Sequence, residues 1–152
     1  MLTEQPRIAV IGLGDVGLPL ARLFATKFPV IGFDINQSRI EELREGRDST
    51  LEVEDKILQA VLLETNPVLK QVAEVVGVSN DRHPELSSGS AVGEMDNGLF
   101  VTSGLNAIED CNYYIITVPT PIDKNNRPDL TPLYKSSEAV ASVLKKKRYS
   151  DL

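Results

Sequence analysis

Apolar and polar residues change their spacing repeatedly along the first third of the chain. "RIAVIG" (7–12) is a short continuous apolar run, which is typical of a parallel strand covered on both faces. Residues 15–27 then follow helical spacing, and "VIGFDI" (30–35) predicts a second strand. Asn36 can cap a second helix, which Gly46 can end. This part of the chain therefore predicts strand, helix, strand, helix.

The same spacing predicts which helix faces are buried. In the first helix, apolar residues at i, i+4, i+7 and i+8 predict a buried face of Val16, Leu20, Leu23 and Phe24. In the second helix, Ile40 and Leu43 form the predicted buried face.

The middle of the chain gives weaker signals. "EVEDKILQAVLLE" (52–64) is predicted to be helical, and Asn66 with Pro67 resembles the start of a further helix. Residues 79–98 are rich in Ser, Gly, Asn and Asp without a clear period, which predicts a long surface loop. We interpret about 52–98 as a helical and loop insertion.

Regular patterns return in the last third. "LFVT" (99–102) and "YYIITV" (113–118) predict two strands, with a short helix near 106–110 between them. Thr131 with Pro132 predicts the cap of a final helix whose apolar positions are Val140, Val143 and Leu144. The alternation predicts an α/β fold, a Rossmann-like parallel sheet with helices on both faces and the first strand central. We expect one domain over residues 1–152, a partial Rossmann domain truncated after about four strands.

Composition narrows the classes of function. With 152 residues, 41% hydrophobic and 25% charged, the chain can bury the core of one domain. No apolar run reaches the roughly 20 residues of a membrane span, so we expect a soluble, cytoplasmic protein without a membrane partner. The net charge of -6 argues against a nucleic-acid partner, and "KKKR" (145–148) is interpreted as a solvated helix end. One cysteine, Cys111, expected to pack in the core, and one histidine, His83, predict neither a disulfide nor a transition-metal site.

Three glycines between the first predicted strand and the first predicted helix form a candidate ligand-binding motif. "GLGDVG" places Gly12, Gly14 and Gly17 in the G-x-G-x-x-G pattern of dinucleotide-binding loops. Gly12 permits the tight turn, Gly14 lets a pyrophosphate approach the backbone, and Gly17 lets helix and strand pack closely. Asp34, 22 positions after Gly12, can accept hydrogen bonds from the adenosine ribose. Because its carboxylate would repel a 2′-phosphate, we expect NAD rather than NADP as the cofactor.

The same residues have a simpler interpretation. The glycines can form an ordinary strand-to-helix turn, with Asp34 a surface acid that caps a helix. Arg39 is placed either to reach the adenine or ribose edge or to be one more charge on an exposed helix face.

Several longer stretches together resemble one family. "IAVIGLGDVGLPLA", "VIGFDINQSRIEEL", "DST", "YYIITVPTPID" and "PDLTP" are similar to the N-terminal domain of the UDP-glucose/GDP-mannose dehydrogenase family. Within it they most resemble the bacterial enzymes that oxidise UDP-N-acetyl-hexosamines to uronic acids for surface polysaccharides. The resemblance covers 7–50 and 99–146, and residues 55–98 depart from it. It implies NAD contacts by these residues: Gly12, Leu13, Gly14, Val16 and Gly17 around the pyrophosphate, Asp34 and Arg39 at the adenosine ribose, and Val118, Pro119 and Thr120 at the end of the fourth strand.

The resemblance also implies what the chain does not do alone. Enzymes of this family oxidise an alcohol through an aldehyde to an acid with two NAD, and their catalytic cysteine, lysine and asparagine lie beyond the NAD domain. We therefore expect the NAD-binding part of a nucleotide-sugar 6-dehydrogenase, without catalytic residues of its own. The alternatives are a stand-alone dinucleotide-binding or sensing module and a different two-domain oxidoreductase. Exposed sheet edges at the missing strands predict a homo-oligomer.

Asp15 stands inside the glycine motif where the family usually has an aromatic residue. A carboxylate in the first turn of a helix is favourable by about 0.3–1 kcal/mol through the helix dipole. Against a bound pyrophosphate the same charge is repulsive. The sequence therefore predicts an NAD site at Asp15 and its neighbours that binds more weakly than the rest of the motif indicates.

Overall fold

The computed structural model describes residues 5–68 and 97–150, with side chains up to residue 144. The described strands are β1 (Ile8–Ile11), β2 (Pro29–Phe33), β3 (Gly98–Thr102) and β4 (Tyr113–Ile116). The helices are α1 (Gly17–Ala25), α2 (Gln37–Arg44), α3 (Asp55–Val61) and α4 (Thr131–Ser150), with a 3-10 helix at Leu105–Ile108. None of the described helices has the length and apolarity of a membrane span.

The four strands form one parallel sheet in the order β3-β2-β1-β4. Ile8 of β1 lies opposite Val30 of β2 on one side and Tyr113 of β4 on the other. The fold class predicted from the sequence, a Rossmann-like parallel sheet with β1 inside it, is confirmed. Because the chain crosses from β3 at one edge to β4 beyond β1, the strand order reverses beside β1.

Alternate residues of β1 divide the core into two layers. Ile8 and Val10 pack on one face of the sheet with α1, α2 and α3, where Leu18, Ile40 and Leu58 are buried. Ala9 and Ile11 pack on the other face with the 3-10 helix and α4. Apolar side chains on both faces explain why β1 and β2 are continuous apolar runs rather than alternating ones.

The buried face of α1 differs from the predicted one. Val16 is 67% exposed and Leu23 58% exposed, while Leu20 and Phe24 are only partly buried. The residues buried in α1 are instead Gly17, Leu18, Ala21 and Ala25. The prediction was wrong because the helix packs on the sheet through a different face, on which one residue, Leu18, is large and the other three are small. The small residues let the two backbones come close.

The second helix forms as predicted. Asn36 precedes α2, and its side chain accepts a hydrogen bond from the Arg39 N–H at 3.3 Å. Ile40 and Leu43 are fully buried, and Gly46 follows the helix with φ of 76°. The next helix, α3, ends earlier than predicted, because the chain then runs beside β3 and the Leu63 N–H donates to the Leu99 carbonyl at 2.9 Å.

The last helix begins differently from the prediction. Thr131 is the first residue of α4 rather than its cap. The Leu130 carbonyl accepts the first helical hydrogen bond, from Tyr134, and the Asp129 carboxylate accepts one from the Thr131 N–H at 3.0 Å. Of the three apolar positions named for this helix, Val140 and Val143 are buried and Leu144 is 46% exposed.

The remaining predictions concern Cys111, the short helix before β4 and the residues that follow Pro67. Cys111 is fully buried, as expected, and the short helix before β4 is a 3-10 turn. The helix predicted after Pro67, the loop predicted at 79–98 and His83 lie mostly or wholly outside the described residues.

Candidate functional site

A cavity of about 740 Å³ opens at the carboxyl ends of β1, β2 and β4. In open α/β sheets, ligands bind in the crevice where the strand order reverses, and this cavity lies there. Its lining comes from the glycine loop, the end of β2, α2, the segment after β4 and the start of α4. The lining residues are Ile11, Gly12, Leu13, Gly14, Phe33, Asp34, Ile35, Asn36, Arg39, Leu105, Val118, Pro119, Asp129, Thr131, Pro132, Lys135, Ser136 and Ala139.

The three glycines of the loop have three different surroundings. Gly12 has φ of +99°, and a Cβ there would lie 3.0 Å from the Thr117 carbonyl oxygen. A Cβ on Gly17 would lie 1.7 Å from the Gly12 carbonyl oxygen, so α1 and β1 touch at this point. A Cβ on Gly14 would meet no atom within 4 Å. Gly12 and Gly17 are therefore required by the fold of the loop, whereas Gly14 borders open space in the cavity.

Leu13 is held at both of its backbone groups and at its side chain. Its N–H donates to Oδ2 of Asp34 at 2.9 Å, and its carbonyl accepts from Nε of Arg39 at 2.9 Å. The side chain is fully buried and packs beside Gly32 of β2. Leu13 thus fixes the loop against the second strand, and its N–H already has an acceptor within the chain.

Asp34 follows β2 and faces the cavity. Oδ2 accepts the Leu13 N–H, and Oδ1 accepts the Asn36 N–H at 2.9 Å. A carboxylate offers about four lone-pair directions, so two acceptor positions are left for a ligand. The hydrogen bonds orient the carboxylate in advance, which suits it to accept from a pair of hydroxyl groups.

Arg39 lines the cavity, but its charged groups face other residues of the chain. Besides the bond to the Leu13 carbonyl, Nη2 lies 2.9 Å from Oδ1 of Asp48 and Nη1 lies 3.3 Å from Oε2 of Glu42. The Asp48 contact is an ion pair whose angles fall outside those of a hydrogen bond. Only 10% of the Arg39 side chain is exposed, so it is not the free surface charge that one interpretation of the sequence allowed.

Asp48 is buried beside Arg39, with no exposed side-chain surface. Oδ1 accepts from the N–H and hydroxyl of Thr50, and Oδ2 accepts from the N–H groups of Glu52 and Val53 at 3.0 Å. Burial raises the pKa of this carboxyl, but these hydrogen bonds and the contact with Arg39 outweigh it and hold the pKa below its usual value. Sequence reasoning assigned no role to Asp48. The only signal was its place in "DST".

The segment after β4 reaches the cavity through Val118 and Pro119, whereas Thr120 is exposed and is not part of the lining. Sequence reasoning missed Thr117, whose hydroxyl donates to the Gly12 carbonyl at 2.8 Å and ties β4 to the glycine loop. It also missed the start of α4. There, hydrogen bonds from Thr131 hold the pKa of Asp129 below its usual value.

Asp15 and Val16 lie between β1 and α1 and are both exposed. Neither belongs to the cavity lining, and neither does Gly17. Val16 occupies the cap position of α1 without a side-chain capping bond. The predicted residues brought together at the cavity are therefore Gly12, Leu13, Gly14, Asp34, Arg39, Val118 and Pro119.

A smaller cavity lies apart from the glycine loop. It has a volume of about 530 Å³ and lies beside β3, with Arg44, Gln59 and Leu63 in its lining. It contains no residue of the glycine motif. Within residues 5–68 and 97–144, no group of three or more His, Cys, Asp or Glu side chains is placed to hold a metal ion.

Comparisons with known proteins agree with this geometry. Residues 6–79 match the family model described as the UDP-glucose/GDP-mannose dehydrogenase family, NAD binding domain. The chain is 44% identical over 140 residues to a UDP-N-acetyl-D-glucosamine 6-dehydrogenase of Pseudomonas aeruginosa, and 39% identical over 142 residues to one of Salmonella typhi. These alignments cover 92% and 93% of this chain and 25% of each relative.

A solved structure shows the same relationship. The chain superimposes on a UDP-D-ManNAc dehydrogenase from Pyrococcus horikoshii with a TM-score of 0.60 and 30% sequence identity, over 90% of this chain and 25% of that one. The chain thus spans about a quarter of the length of the relatives it matches. The chain belongs to the UDP-glucose/GDP-mannose dehydrogenase family and corresponds to its NAD-binding domain.

Proposed function

We propose that NAD binds in the cavity at the carboxyl ends of β1, β2 and β4, and that the chain serves as the NAD-binding part of a UDP-sugar 6-dehydrogenase. The observation that carries this proposal is the open space at Gly14, between two glycines that the fold itself requires. A loop kept free of side chains at that one point lets a pyrophosphate approach the backbone.

In this proposal, different residues of the cavity contact different parts of NAD. The backbone at Gly12 and Gly14 and the first turn of α1 receive the pyrophosphate, where the helix N-terminus favours an anion. The free acceptor positions of Asp34 receive the hydroxyls of the adenosine ribose, and Arg39 borders them. Val118 and Pro119 cover the cofactor on the β4 side. Bound NAD supplies the hydride acceptor of the reaction.

The substrate class follows from the relatives. Those at 44% and 39% identity are UDP-N-acetyl-D-glucosamine 6-dehydrogenases. We propose that the complete enzyme oxidises the C6 hydroxyl of a UDP-N-acetyl-hexosamine. The nucleophile for the second oxidation comes from outside this chain, because its cysteine, Cys111, is fully buried among apolar residues of the core.

The binding proposal is tested by calorimetric titration of the 152-residue chain with NAD⁺. We expect binding by the wild type and at least about tenfold weaker binding by Gly14→Ala, whose methyl group would lie where the pyrophosphate approaches. Gly104→Ala is the matched control. It also places a methyl group in a turn at the carboxyl end of a strand, but outside the cavity lining.

The titration also shows whether a weaker affinity of Gly14→Ala comes from the binding site or from the fold. Gly14→Ala should fold as well as the wild type, because no atom lies within 4 Å of the new Cβ. Equal NAD⁺ affinity in Gly14→Ala and the wild type would place the pyrophosphate elsewhere, and a wild-type chain that binds no NAD⁺ would overturn the proposal. We also expect no NADH production from UDP-N-acetyl-glucosamine by the chain alone. Turnover would overturn the assignment of the nucleophile to another part of the enzyme.

A further inference from the structure

We propose that the buried carboxylate of Asp48 sets the preference for NAD over NADP by holding the Arg39 guanidinium in an ion pair beside the Leu13 carbonyl, so that its charge is not available to a 2′-phosphate. Asp48 is a positioning residue in this scheme, because it acts through Arg39. The inference rests on the proposed function, since it concerns the same dinucleotide site.

Arg39 lines the same cavity as Asp34. In dinucleotide-binding folds, an acidic residue after the second strand accepts from the ribose 2′-hydroxyl, and an arginine nearby can accommodate a 2′-phosphate. Here Asp34 is the acid, and Arg39 lies in the first turn of the helix that follows it. Both line the cavity. The cavity therefore contains both Asp34, which would repel a 2′-phosphate, and Arg39, which could bind one.

The Arg39 guanidinium is engaged by three neighbouring residues of the chain. Its Nε donates to the Leu13 carbonyl, Nη2 faces Asp48 at 2.9 Å, and Nη1 faces Glu42 at 3.3 Å. Two carboxylates neutralise one cation, and the side chain is only 10% exposed. A guanidinium engaged in this way has neither the charge nor the free fork of donors that a phosphate requires.

Asp48 is held more firmly than Glu42, the other carboxylate that faces Arg39. The Asp48 side chain has no exposed surface and accepts hydrogen bonds from Thr50, Glu52 and Val53, so it cannot move to follow Arg39. Glu42 retains 23% exposure on the surface of α2. The fixed carboxylate therefore determines the position of the arginine, and through the Arg39 bond to Leu13 it also braces the glycine loop.

The main experiment measures dissociation constants of NAD⁺ and NADP⁺ by calorimetry for the 152-residue chain. We expect Asp48→Asn to lower the ratio of the NADP⁺ to the NAD⁺ constant by about tenfold, because a released arginine can form charge-assisted hydrogen bonds to the 2′-phosphate. The double variant Asp48→Asn/Arg39→Met should return to the wild-type ratio. Arg44→Met is the matched control, because Arg44 of the same helix donates to the Val101 carbonyl and lies outside this cavity.

A merely structural role for Asp48 predicts a different result. Both dinucleotides would then bind more weakly by the same factor and the ratio would stay at its wild-type value, which would overturn the proposal. A wild-type chain that binds neither dinucleotide would overturn the proposed function itself. If the wild type binds NAD⁺ but Asp48→Asn leaves the ratio of the NADP⁺ and NAD⁺ dissociation constants unchanged, only the present inference is overturned.

A second measurement needs neither ligand nor a folded Asp48 variant. In ¹⁵N NMR spectra of the wild-type chain, the Arg39 Nε–H should exchange slowly with water, since it donates to a backbone carbonyl and is shielded by the ion pairs. Its signal is assigned by its loss in Arg39→Met. Fast exchange of this proton at neutral pH would show that Arg39 is not held, and would overturn the inference even if Asp48→Asn does not fold.

Discussion

Replacement of Gly17 by alanine tests whether close approach of α1 to β1 is required by the fold. The new Cβ would lie 1.7 Å from the Gly12 carbonyl oxygen and 2.5 Å from the Thr117 hydroxyl. Side-chain Cβ atoms essentially never approach other atoms closer than 3.0 Å, so the backbones must separate by about 1.3 Å. The obstacle is a backbone carbonyl, which cannot move aside as the end of a flexible side chain can.

Two effects of opposite sign compete in this variant. Alanine is favoured over glycine within a helix by about 1 kcal/mol. Overpacking of a closely packed site costs about 1–3 kcal/mol, and more when backbone must move. The separation would also loosen the contacts of Leu18, Ala21 and Ala25 with the sheet. We therefore expect a net loss of about 2 kcal/mol or more in the free energy of unfolding, taking the upper end of that range less the helix gain.

Urea unfolding followed by circular dichroism measures the effect. With a slope of about 2 kcal/mol per molar urea, the midpoint of Gly17→Ala should fall by about 1 M or more. Gly14→Ala is the control in the same loop, and its midpoint should stay near or slightly above that of the wild type, because no atom lies within 4 Å of its Cβ. A Gly17→Ala midpoint at or above the wild-type value would refute the steric argument and show that helix propensity dominates.

Three further predictions concern the site and the sheet. Asp15→Tyr should bind NAD⁺ severalfold more tightly in calorimetry, because it removes a negative charge near the pyrophosphate. Asp15 is exposed and lies outside the cavity lining, so equal affinities of the variant and the wild type would show that its charge does not reach the cofactor. Because the folded state lowers the pKa of Asp48, the stabilisation it gives is complete above the ordinary carboxyl pKa near 4 and is lost as the pH falls below it. Urea midpoints between pH 6 and 3 should therefore fall less steeply in Asp48→Asn than in the wild type, and parallel curves would contradict this. Tyr113 of the edge strand β4 is 56% exposed, and the rest of that strand is half-buried. Because an exposed edge strand can pair with another chain, light scattering should detect oligomers. A monomer at all concentrations would argue against pairing through this edge.

The fold could be predicted from the sequence because the strong signals were local. Continuous apolar runs marked β1 and β2, and Asn36 and Gly46 marked the ends of α2. The face of α1 could not be predicted in the same way. Val16 and Leu23 are large and apolar but exposed, and the contact with the sheet is made by Leu18 together with the small residues Gly17, Ala21 and Ala25. Apolar spacing gave the wrong face because the distance between helix and sheet is a tertiary property.

The site was predictable where a residue's role depends on backbone conformation or on the end of a strand. Gly12, Gly14 and Asp34 all line the cavity, and the positive φ of Gly12 is a property that a glycine in this pattern indicates. The role of Thr117 depends instead on a contact between segments about a hundred residues apart, its hydrogen bond to the Gly12 carbonyl. No spacing rule connects the end of β4 with the glycine loop.

Arg39 shows how the same limit affects a prediction of function. From the sequence it was either a ribose contact or a surface charge, since both fit a position in the first turn of a helix. The structure adds a buried carboxylate, Asp48, whose pairing with Arg39 no motif of the sequence indicates. That partner changes the question from whether Arg39 is near the cofactor to whether its charge is available there. With its charge balanced by Asp48 and Glu42, Arg39 does not offset the carboxylate of Asp34, and this favours a hydroxyl over a phosphate at the proposed 2′ position.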